Sequence, residues 1–527
     1  MKVSSTQANL TFAGAGVALV VYAVIVRALL AVSSDLWIDE AFSFLYGFES
    51  LPVLIKTIQK EAHPPLYYVL IRAAFGIWPA SALVLRGLSI VMAVGLIASI
   101  LIGPVGELSR PARVSAAALL STHPFAVYYG AEGRPYATQW LLAFWIVQCL
   151  LRGRTCRWSV VAAAVFQLAA LYLHNFGALL LPLWGLALMA PELRSRGRRD
   201  LALGLAVVLA GWAPWVLVVV PGQVRVLAAE GGFISTNWQS LGPSGELAAT
   251  TAALFNVPPF PAYLRSLAGV PAHMGAWAAA LVAAGLVAAA LVDGWRRRSF
   301  AVLVHVAAVV VLIAAPFVAT FVSPMYLAGR YEMTALVPLA LLVAAGADVV
   351  ATRLAPVLHL EASLAVTGLG ALVVLSAGVS TQAMVDEEPY HHYRPIAAAV
   401  IAGVDPEAPV VVFGLDYGPM KAALIASGGD GKRVRAFPVD IEAHPGNWDS
   451  ESKQAHVADE ARALVLEHGP RMVLVLPNEV TSGGRQQALD ALLGTLSAAH
   501  LTTEPVAASS RVTALRLRAG SESTSRE

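Results

Sequence analysis

The chain has 527 residues, of which 57% are hydrophobic and 13% are charged. Ordinary soluble domains carry about 25% charged residues, so this composition excludes a typical soluble protein. The formal net charge of +2 says little about partners, because the charges are concentrated in particular loops, and no nucleic-acid partner is predicted.

Apolar runs near the length of a membrane-spanning helix recur along the first 380 residues. A helix needs about 20 predominantly apolar residues to cross a bilayer. We therefore predict a polytopic α-helical membrane protein with about 11 transmembrane helices. The first run is too long for the apolar part of a typical signal peptide and is interpreted as an uncleaved helix. The predicted spans are 12–32, 82–103, 112–128, 135–151, 157–172, 175–191, 201–221, 274–293, 300–321, 332–350 and 360–380.

The basic residues indicate the orientation of the chain. Cytoplasmic loops carry an excess of Lys and Arg, and one alternate set of short loops holds most of them here. We predict a cytoplasmic N-terminus, an extracytoplasmic C-terminus and a location in a bacterial plasma membrane. The basic loops contain Lys2, Arg110, Arg113, Arg152, Arg154, Arg157, Arg194, Arg196, Arg198, Arg199, Arg296, Arg297, Arg298 and Arg353.

Two long loops, 33–81 and 222–273, fall on the predicted outer side. In the first loop, apolar residues between Leu51 and Ile58 recur at helical spacing. This spacing predicts amphipathic helices that lie along the membrane interface. The second loop contains Trp238 and a Pro-rich run at 256–261.

After residue 390 the composition changes to that of a small α/β domain. Strand-like apolar runs alternate with runs of helical periodicity, and no Gly-rich nucleotide fingerprint is present. The predicted strands are 410–413, 472–476 and 511–517, and the predicted helices are 455–466 and 486–499. The predicted domains are a membrane domain at 1–385 that includes both outer loops, an extracytoplasmic α/β domain at 390–520, and a disordered tail at 521–527.

Five polar clusters fall on the predicted outer face. Each has a local explanation: helix-start charges at Asp39, a capping role for His63, an ion pair between Glu132 and Arg134, internal packing of His174, and snorkelling of Arg330. Their common placement at one membrane face is harder to explain in this way. The clusters are Asp39-Glu40, His63-Pro64-Pro65, Glu132-Gly133-Arg134-Pro135-Tyr136, His174-Asn175 and Gly329-Arg330-Tyr331-Glu332.

These residue types suit a substrate with an anionic phosphate and a lipid tail. Arg and His hold phosphate through charge-assisted hydrogen bonds. A carboxylate can act as a general base on an incoming hydroxyl group. The clusters therefore predict phosphate binding and proton transfer at the outer face of the membrane.

The order of these motifs resembles glycosyltransferase family 39 of the GT-C superfamily, over about residues 1–345. The resemblance extends to protein O-mannosyltransferases and bacterial aminoarabinose transferases. It is carried by Trp37-x-Asp39-Glu40, His63-Pro64-Pro65-Leu66-Tyr67-Tyr68, Glu132-x-Arg134-x-Tyr136, Tyr172-x-His174-Asn175 and Arg330-Tyr331.

The resemblance implies an inverting sugar transfer from a polyprenyl-phosphate donor to an acceptor hydroxyl on the extracytoplasmic face. It implies that Asp39 is the catalytic carboxylate, and that His63 and Arg330 lie near the donor phosphate. Aminoarabinose transferases have Lys where this chain has His63. The remaining predicted site residues are Glu40 in a supporting role and Glu132, Arg134, Tyr136, His174 and Tyr331 in substrate binding.

Several alternatives stay open at this stage. The sugar is mannose by resemblance, or another cell-envelope sugar, and the acceptor is a lipid, a glycan or a protein. No cofactor is predicted with certainty, and a divalent metal held by Asp39 and Glu40 stays open. A transporter or flippase for lipid-linked sugars is the alternative function. The C-terminal domain either binds the acceptor or only braces the membrane domain.

Overall fold

A computed structural model describes residues 5–58, 63–103, 105, 108–153, 155–190, 193–224, 233–258, 260, 274–322, 326–330, 332–358, 362–385, 392–439, 456–479 and 483–519. Contacts divide the chain into two compact units. The first contains Met1–Ala31, Glu61–Tyr67 and Arg86–Glu388, and the second contains Val32–Lys60, Tyr68–Leu85 and Pro389–Glu527.

The first unit is helical throughout its described part. Its helices, together with α2, α3 and α4, which lie wholly or mostly in the second unit, run in this order: α1 Ser5–Val32, α2 Ile38–Tyr46, α3 Leu51–Ile58, α4 Leu66–Ile77, α5 Ala82–Ile102, α6 Arg110–Thr122, α7 Pro124–Ala131, α8 Tyr136–Gly153, α9 Arg157–Leu173, α10 Leu181–Leu188, α11 Ser195–Val218, α12 Phe233–Leu254, α13 Met274–Arg297, α14 Phe300–Ala319, α15 Leu336–Leu358 and α16 Ala362–Val385. Short 3-10 turns at Asn175–Leu180 and Glu332–Ala335 precede α10 and α15.

Seven segments within the described residues are long and apolar enough to cross a membrane, and each matches a predicted span. The other predicted spans correspond to α6 with α7, to α8, to α9 and to α10 with its 3-10 turn. These helices are shorter or less apolar, so the number 11 stays a prediction. The segments are Thr11–Val32, Ala82–Ile102, Ser195–Val218, Met274–Arg297, Phe300–Ala319, Glu332–Val357 and Val366–Val385.

A buried arginine compensates for the break between α6 and α7. Pro124 has no N–H group, so the carbonyl of Leu120 loses its helical donor. Arg27 on α1 is only 1% exposed and donates to this carbonyl at 2.9 Å and to the carbonyl of Ala126 at 3.0 Å. The side chain therefore satisfies backbone groups that hydrocarbon could not satisfy.

Helices α13 and α15 approach each other at a glycine. A Cβ atom on Gly346 would lie 1.8 Å from the carbonyl oxygen of Leu286. Small residues permit such close backbone approach between membrane helices, and the absent side chain at residue 346 sets the separation of this pair.

The second unit contains a five-stranded mixed sheet, which confirms the predicted α/β domain. Strands β1, β2 and β3 are parallel, β5 runs antiparallel to both β3 and β4, and the spatial order is β2-β1-β3-β5-β4. The strands are β1 Val410–Phe413, β2 Val434–Phe437, β3 Val473–Pro477, β4 Leu501–Ala508 and β5 Val512–Ala519. The helices are α17 Arg394–Gly403, α18 Tyr417–Ala426, α19 Val457–His468 and α20 Gly483–Ala498.

Most of the first outer loop also belongs to the second unit. The predicted domain boundary assigned residues 33–81 to the membrane domain, whereas 32–60 and 68–85 group with the C-terminal sheet. The physical reason is apolar packing, because Phe42 on α2 is 7% exposed and lies in the same hydrophobic core as β1 and β3. The predicted tail at 521–527 lies outside the described residues.

Candidate active site

The turn between α7 and α8 holds Glu132 and Arg134 in buried positions. Glu132 ends α7 in an extended conformation, and the N–H of Arg134 donates to the carbonyl of Glu132 at 2.8 Å. The hydroxyl of Ser89 on α5 donates to the carbonyl of Arg134 at 3.1 Å. The side chains of Glu132 and Arg134 are 4% and 5% exposed, so a charged guanidinium is held inside the first unit.

His63 contacts Arg134 directly and is neutral. Nη2 of Arg134 lies 2.6 Å from Nε2 of His63, and a guanidinium can only donate. Nε2 therefore accepts, and the ring proton is assigned to Nδ1. Burial, followed by the charges of Arg134 and Arg330, holds the pKa of His63 well below its usual value.

His174 has the opposite tautomer and is also neutral. Its extended backbone separates α9 from the following 3-10 turn, and its Nδ1 accepts the N–H of Phe176 at 3.1 Å. The proton is therefore assigned to Nε2. Its ring centroid lies 4.8 Å from that of His63. Burial first, and then the charges of Arg134 and Arg330, lower the pKa of His174 to about 3.

Arg330 joins this cluster through Tyr136. Its Nε donates to the hydroxyl of Tyr136 at 2.9 Å, and the Tyr136 ring centroid lies 6.2 Å from that of His174. We call His63, Arg134, His174 and Arg330, together with Tyr136, the His–Arg cluster. Tyr331 lies outside the described residues.

The turn that presents Arg330 is held by buried carboxylates. Glu332 accepts the N–H of Gly329 and, at 3.3 Å, the N–H of Arg330. Thr250 on α12 donates to Glu332 at 3.1 Å. Gly329 has φ of +77°, a conformation that glycine adopts without strain.

Sequence reasoning missed two members of this support, Glu246 and Thr250. Oε2 of Glu246 accepts the N–H of Ala328 at 3.0 Å. Both residues lie on α12, about 80 positions before their partners and outside any motif. The available signal was the single charged residue in the sequence of α12, Glu246, which the structure shows to be fully buried.

The His–Arg cluster is suited to an anion. It contains two permanent cations, Arg134 and Arg330, and two neutral imidazoles that each carry one N–H group. Within the described residues, no hydrogen bond is formed by Nδ1 of His63, which is buried. Guanidinium forks match the geometry of phosphate oxygens, and the low dielectric of a buried site strengthens their attraction.

Asp39 and Glu40 lie in the first turn of α2, in the second unit. Glu40 is 1% exposed, and its Oε2 accepts the N–H of Trp37 at 3.4 Å, which caps the helix. The carboxylate of Glu40 is thus engaged at the helix start. Asp39 is partly exposed, and its carbonyl accepts the hydroxyl of Ser43 at 2.8 Å.

A complete metal-ligand set is not found among the described residues. No three His, Cys, Asp or Glu side chains converge within those ranges. A divalent cation at Asp39 and Glu40 would therefore take its other ligands from substrate, from water or from residues outside those ranges.

Comparison with solved structures identifies the fold. ArnT from Cupriavidus metallidurans in the apo state matches with a TM-score of 0.53 at 14% identity, over 95% of this chain and 97% of ArnT. The same protein bound to undecaprenyl phosphate matches with a TM-score of 0.52 at 14% identity, over 97% of this chain and 98% of ArnT. An Archaeoglobus fulgidus oligosaccharyltransferase in the apo form matches with a TM-score of 0.53 at 13% identity, over 96% of this chain and 75% of that protein.

The chain shares the fold of these two membrane proteins. This likeness confirms the predicted fold class of a multi-pass helical membrane protein with a C-terminal α/β domain. The predicted orientation in the membrane and the bacterial origin stay predictions. No protein-family model and no curated protein matches the sequence.

Proposed function

We propose that this protein is a membrane glycosyltransferase that uses a polyprenyl-phosphate-linked sugar as donor. The observation that carries the proposal is the His–Arg cluster, in which Arg134 and Arg330 place two permanent cations beside neutral His63 and His174. Support comes from the fold, which is shared with an ArnT structure that contains undecaprenyl phosphate.

In this proposal Arg134 and Arg330 bind the donor phosphate, and His63 and His174 donate hydrogen bonds to it. Glu132, Tyr136 and Tyr331 complete the substrate-binding residues. Bond cleavage leaves negative charge on the phosphate oxygen, and fixed cations stabilise that charge as it develops. The leaving group is then polyprenyl phosphate.

Asp39 is the proposed general base. Its carboxylate takes the proton of the acceptor hydroxyl while the acceptor oxygen forms a bond to the anomeric carbon. The bond from that carbon to the phosphate oxygen breaks on the opposite face, which inverts the configuration. Glu40 supports Asp39 by capping the helix that carries both residues.

The donor sugar is mannose by resemblance, with arabinose, aminoarabinose and other envelope sugars as alternatives. The acceptor is a lipid, glycan or protein hydroxyl on the extracytoplasmic face. A flippase for lipid-linked sugars would also bind a phosphate, so the distinguishing event is the formation of a new glycosidic bond.

The test is release of polyprenyl phosphate by purified protein in nanodiscs. A panel of polyprenyl-phosphate sugars is offered with membrane extract as acceptor, and wild type is compared with Asp39→Asn. We expect release by wild type and a loss of about 10²-fold or more in Asp39→Asn, because general bases contribute about 10² to 10⁴ in rate.

Two outcomes would contradict the proposal. Wild-type turnover in Asp39→Asn would show that Asp39 is not the general base. Movement of intact donor across sealed vesicles, without any new glycosidic bond, would replace the transferase with a transporter.

A further inference from the structure

The sheet of the second unit has a crevice of the kind that binds ligands in other α/β proteins. Strands β1 and β3 are parallel neighbours, and the chain leaves β1 toward β2 but leaves β3 toward the opposite edge. In open α/β sheets, ligands bind outside the carboxyl ends of strands at such a switch point. The residues after β1, from Gly414 to Gly418, therefore mark this crevice.

In this chain the crevice is filled by the chain's own α2. A Cβ atom on Gly418, in the first turn of α18, would lie 3.0 Å from the ring of Phe42. Phe42 is 7% exposed and belongs to the hydrophobic core that includes Phe413 and Tyr417. An aromatic ring from the first outer loop thus lies where a small-molecule ligand would otherwise approach the sheet.

Polar side chains close the same end of the sheet. Asp416 is 7% exposed, and it accepts the hydroxyl of Tyr393 at 2.5 Å and Nε of Arg511 at 2.9 Å. These contacts occupy the carboxylate with groups from its own unit and leave the α18 N-terminus buried against protein.

A second attachment lies immediately before α2. Asp35 forms an ion pair with Arg394 at 2.9 Å, and its other oxygen accepts the N–H groups of Tyr393 at 2.7 Å and of Arg394 at 3.2 Å. Arg394 also donates to the carbonyl of Ser34 at 3.2 Å. The anion lies at the start of α17, where the helix dipole favours it.

We propose that the C-terminal α/β domain is a positioning module for α2. It holds the helix at two points, through Phe42 in the crevice and through the Asp35–Arg394 pair, and so sets the orientation of the helix that carries Asp39. Phe42, Asp35 and Arg394 are positioning residues. The inference rests on the proposed function for the role of Asp39. It also implies that the crevice does not bind a small-molecule ligand, because Phe42 occupies it.

The test separates kcat from the KM for donor in Arg394→Gln and Gly418→Val. We expect kcat to fall by about 10-fold to 100-fold, since a small misplacement of a reacting group has effects of this size. The KM for donor should stay near that of wild type. Arg394→Lys should recover part of the loss, because an ammonium group can still pair with Asp35.

The matched control is Arg518→Gln. Arg518 pairs with Glu504 at 2.6 Å at the far edge of the same sheet, so its loss removes the same charge from the same domain. We expect wild-type kcat in this variant.

Hydrogen exchange supplies a second measurement that does not depend on activity. In Gly418→Val, amides of 38–46 should exchange faster while those of β1 and β3 keep their protection. Should Gly418→Val fail to accumulate, Phe42→Ala creates space rather than a clash and gives the same expectation. Unchanged kcat together with unchanged exchange at 38–46 would overturn the inference.

The two proposals fail in different ways. If Asp39→Asn is inactive while Arg394→Gln and Gly418→Val keep both wild-type turnover and wild-type exchange at 38–46, only the positioning inference is lost. If Asp39→Asn is active, the proposed base is lost, whereas the hydrogen-exchange result still reports on how α2 is held.

Discussion

At the residue scale, the candidate phosphate site combines two charged arginines with two neutral histidines. Arg134 and Arg330 stay cationic at any accessible pH. Their fields, added to burial, keep the pKa values of His63 and His174 low. The imidazoles are therefore neutral, and Arg134 supplies the positive charge next to His63.

Because Arg134 supplies both charge and a planar fork of donors, two substitutions of this residue should give different results. Arg134→Gln should raise the Kd for polyprenyl phosphate by about 10-fold to 100-fold, because hydrogen bonds to charged groups contribute about 1.5–3 kcal/mol. Arg134→Lys keeps the charge but loses the planar fork of the guanidinium, so its Kd should lie between those of wild type and Arg134→Gln. Binding is measured with wild type and with the control Arg353→Gln, which alters an exposed arginine paired with Asp293. Equal Kd values for Arg134→Gln and wild type would contradict the assignment.

The lowered histidine pKa values predict how stability changes with pH. The unfolded chain binds a proton at each histidine near pH 6.5, whereas folded His174 does so only near pH 3. Between these values the unfolded state binds more protons, so stability is fully present above pH 6.5 and declines as the pH falls. We expect the Tm in detergent to decrease from pH 6.5 to pH 5.

The variant His174→Gln should show a smaller decrease in Tm over that range. His500→Asn is the control, since His500 is exposed on the second unit. A pH profile in His174→Gln as steep as that of wild type would show that another group is responsible.

At the element scale, the contact between α13 and α15 depends on a missing side chain. A Cβ atom on Gly346 would overlap the carbonyl oxygen of Leu286, and a backbone atom cannot move away as a flexible side chain can. Gly346→Ala should therefore separate the helices and lower the Tm by several degrees, since overpacking costs about 1–3 kcal/mol.

Gly285 on α13 provides the matched control for this substitution. A Cβ atom there would meet no heavy atom within 4 Å, and alanine is a better helix former than glycine. Gly285→Ala should leave the Tm unchanged or slightly higher. A similar loss of Tm in both variants would show that helix packing at Gly346 is not the cause.

At the scale of the whole molecule, the predicted orientation can be tested with native cysteines. Cys156 is exposed and Cys149 is buried, so the chain carries one natural reporter in a predicted cytoplasmic loop. Hydrogen bonds from Ser159 lower the pKa of the Cys156 thiol, which favours the thiolate that reacts with maleimide. In intact cells, a membrane-impermeant maleimide should leave the protein unlabelled until the membrane is permeabilised.

The complementary reporter lies in the C-terminal domain. Ser497 is exposed on α20, and Ser497→Cys in a Cys156→Ser background should react in intact cells. Labelling of native Cys156 from outside would reverse the predicted orientation and place the C-terminal domain in the cytoplasm.

The sequence predicted those elements whose physical signal is local. Long apolar runs identified seven spans, compact apolar runs identified β1 and β3, and alternation of apolar and polar residues identified β5. Strand β4 was missed because it is largely exposed and lacks an alternating pattern, and β2 because exposed Arg435 interrupts its short apolar run.

The site shows the same limit. Grouping the polar residues by their predicted position on the outer face identified a set that the structure brings together: His63, Arg134, Tyr136, His174 and Arg330. Topology alone could not reveal which nitrogen each histidine protonates, or that Glu246 and Thr250 support the turn before Arg330. Those facts depend on contacts between residues far apart in the chain, which no local pattern encodes.

The Arg27 bridge also has a consequence for the order in which the protein assembles. As α1 enters the membrane, the carbonyls of Leu120 and Ala126 are still 93 and 99 residues from emerging behind Arg27. Until then the second guanidinium nitrogen lacks these carbonyls and can snorkel toward the interface, and α6 later arrives with a carbonyl that Pro124 leaves without a donor. Within α1 itself, Arg27 donates only to the carbonyl of Ala23 at 3.2 Å. Its remaining hydrogen bonds among the described residues wait for the segment around Pro124, so association of the two segments satisfies polar groups on both.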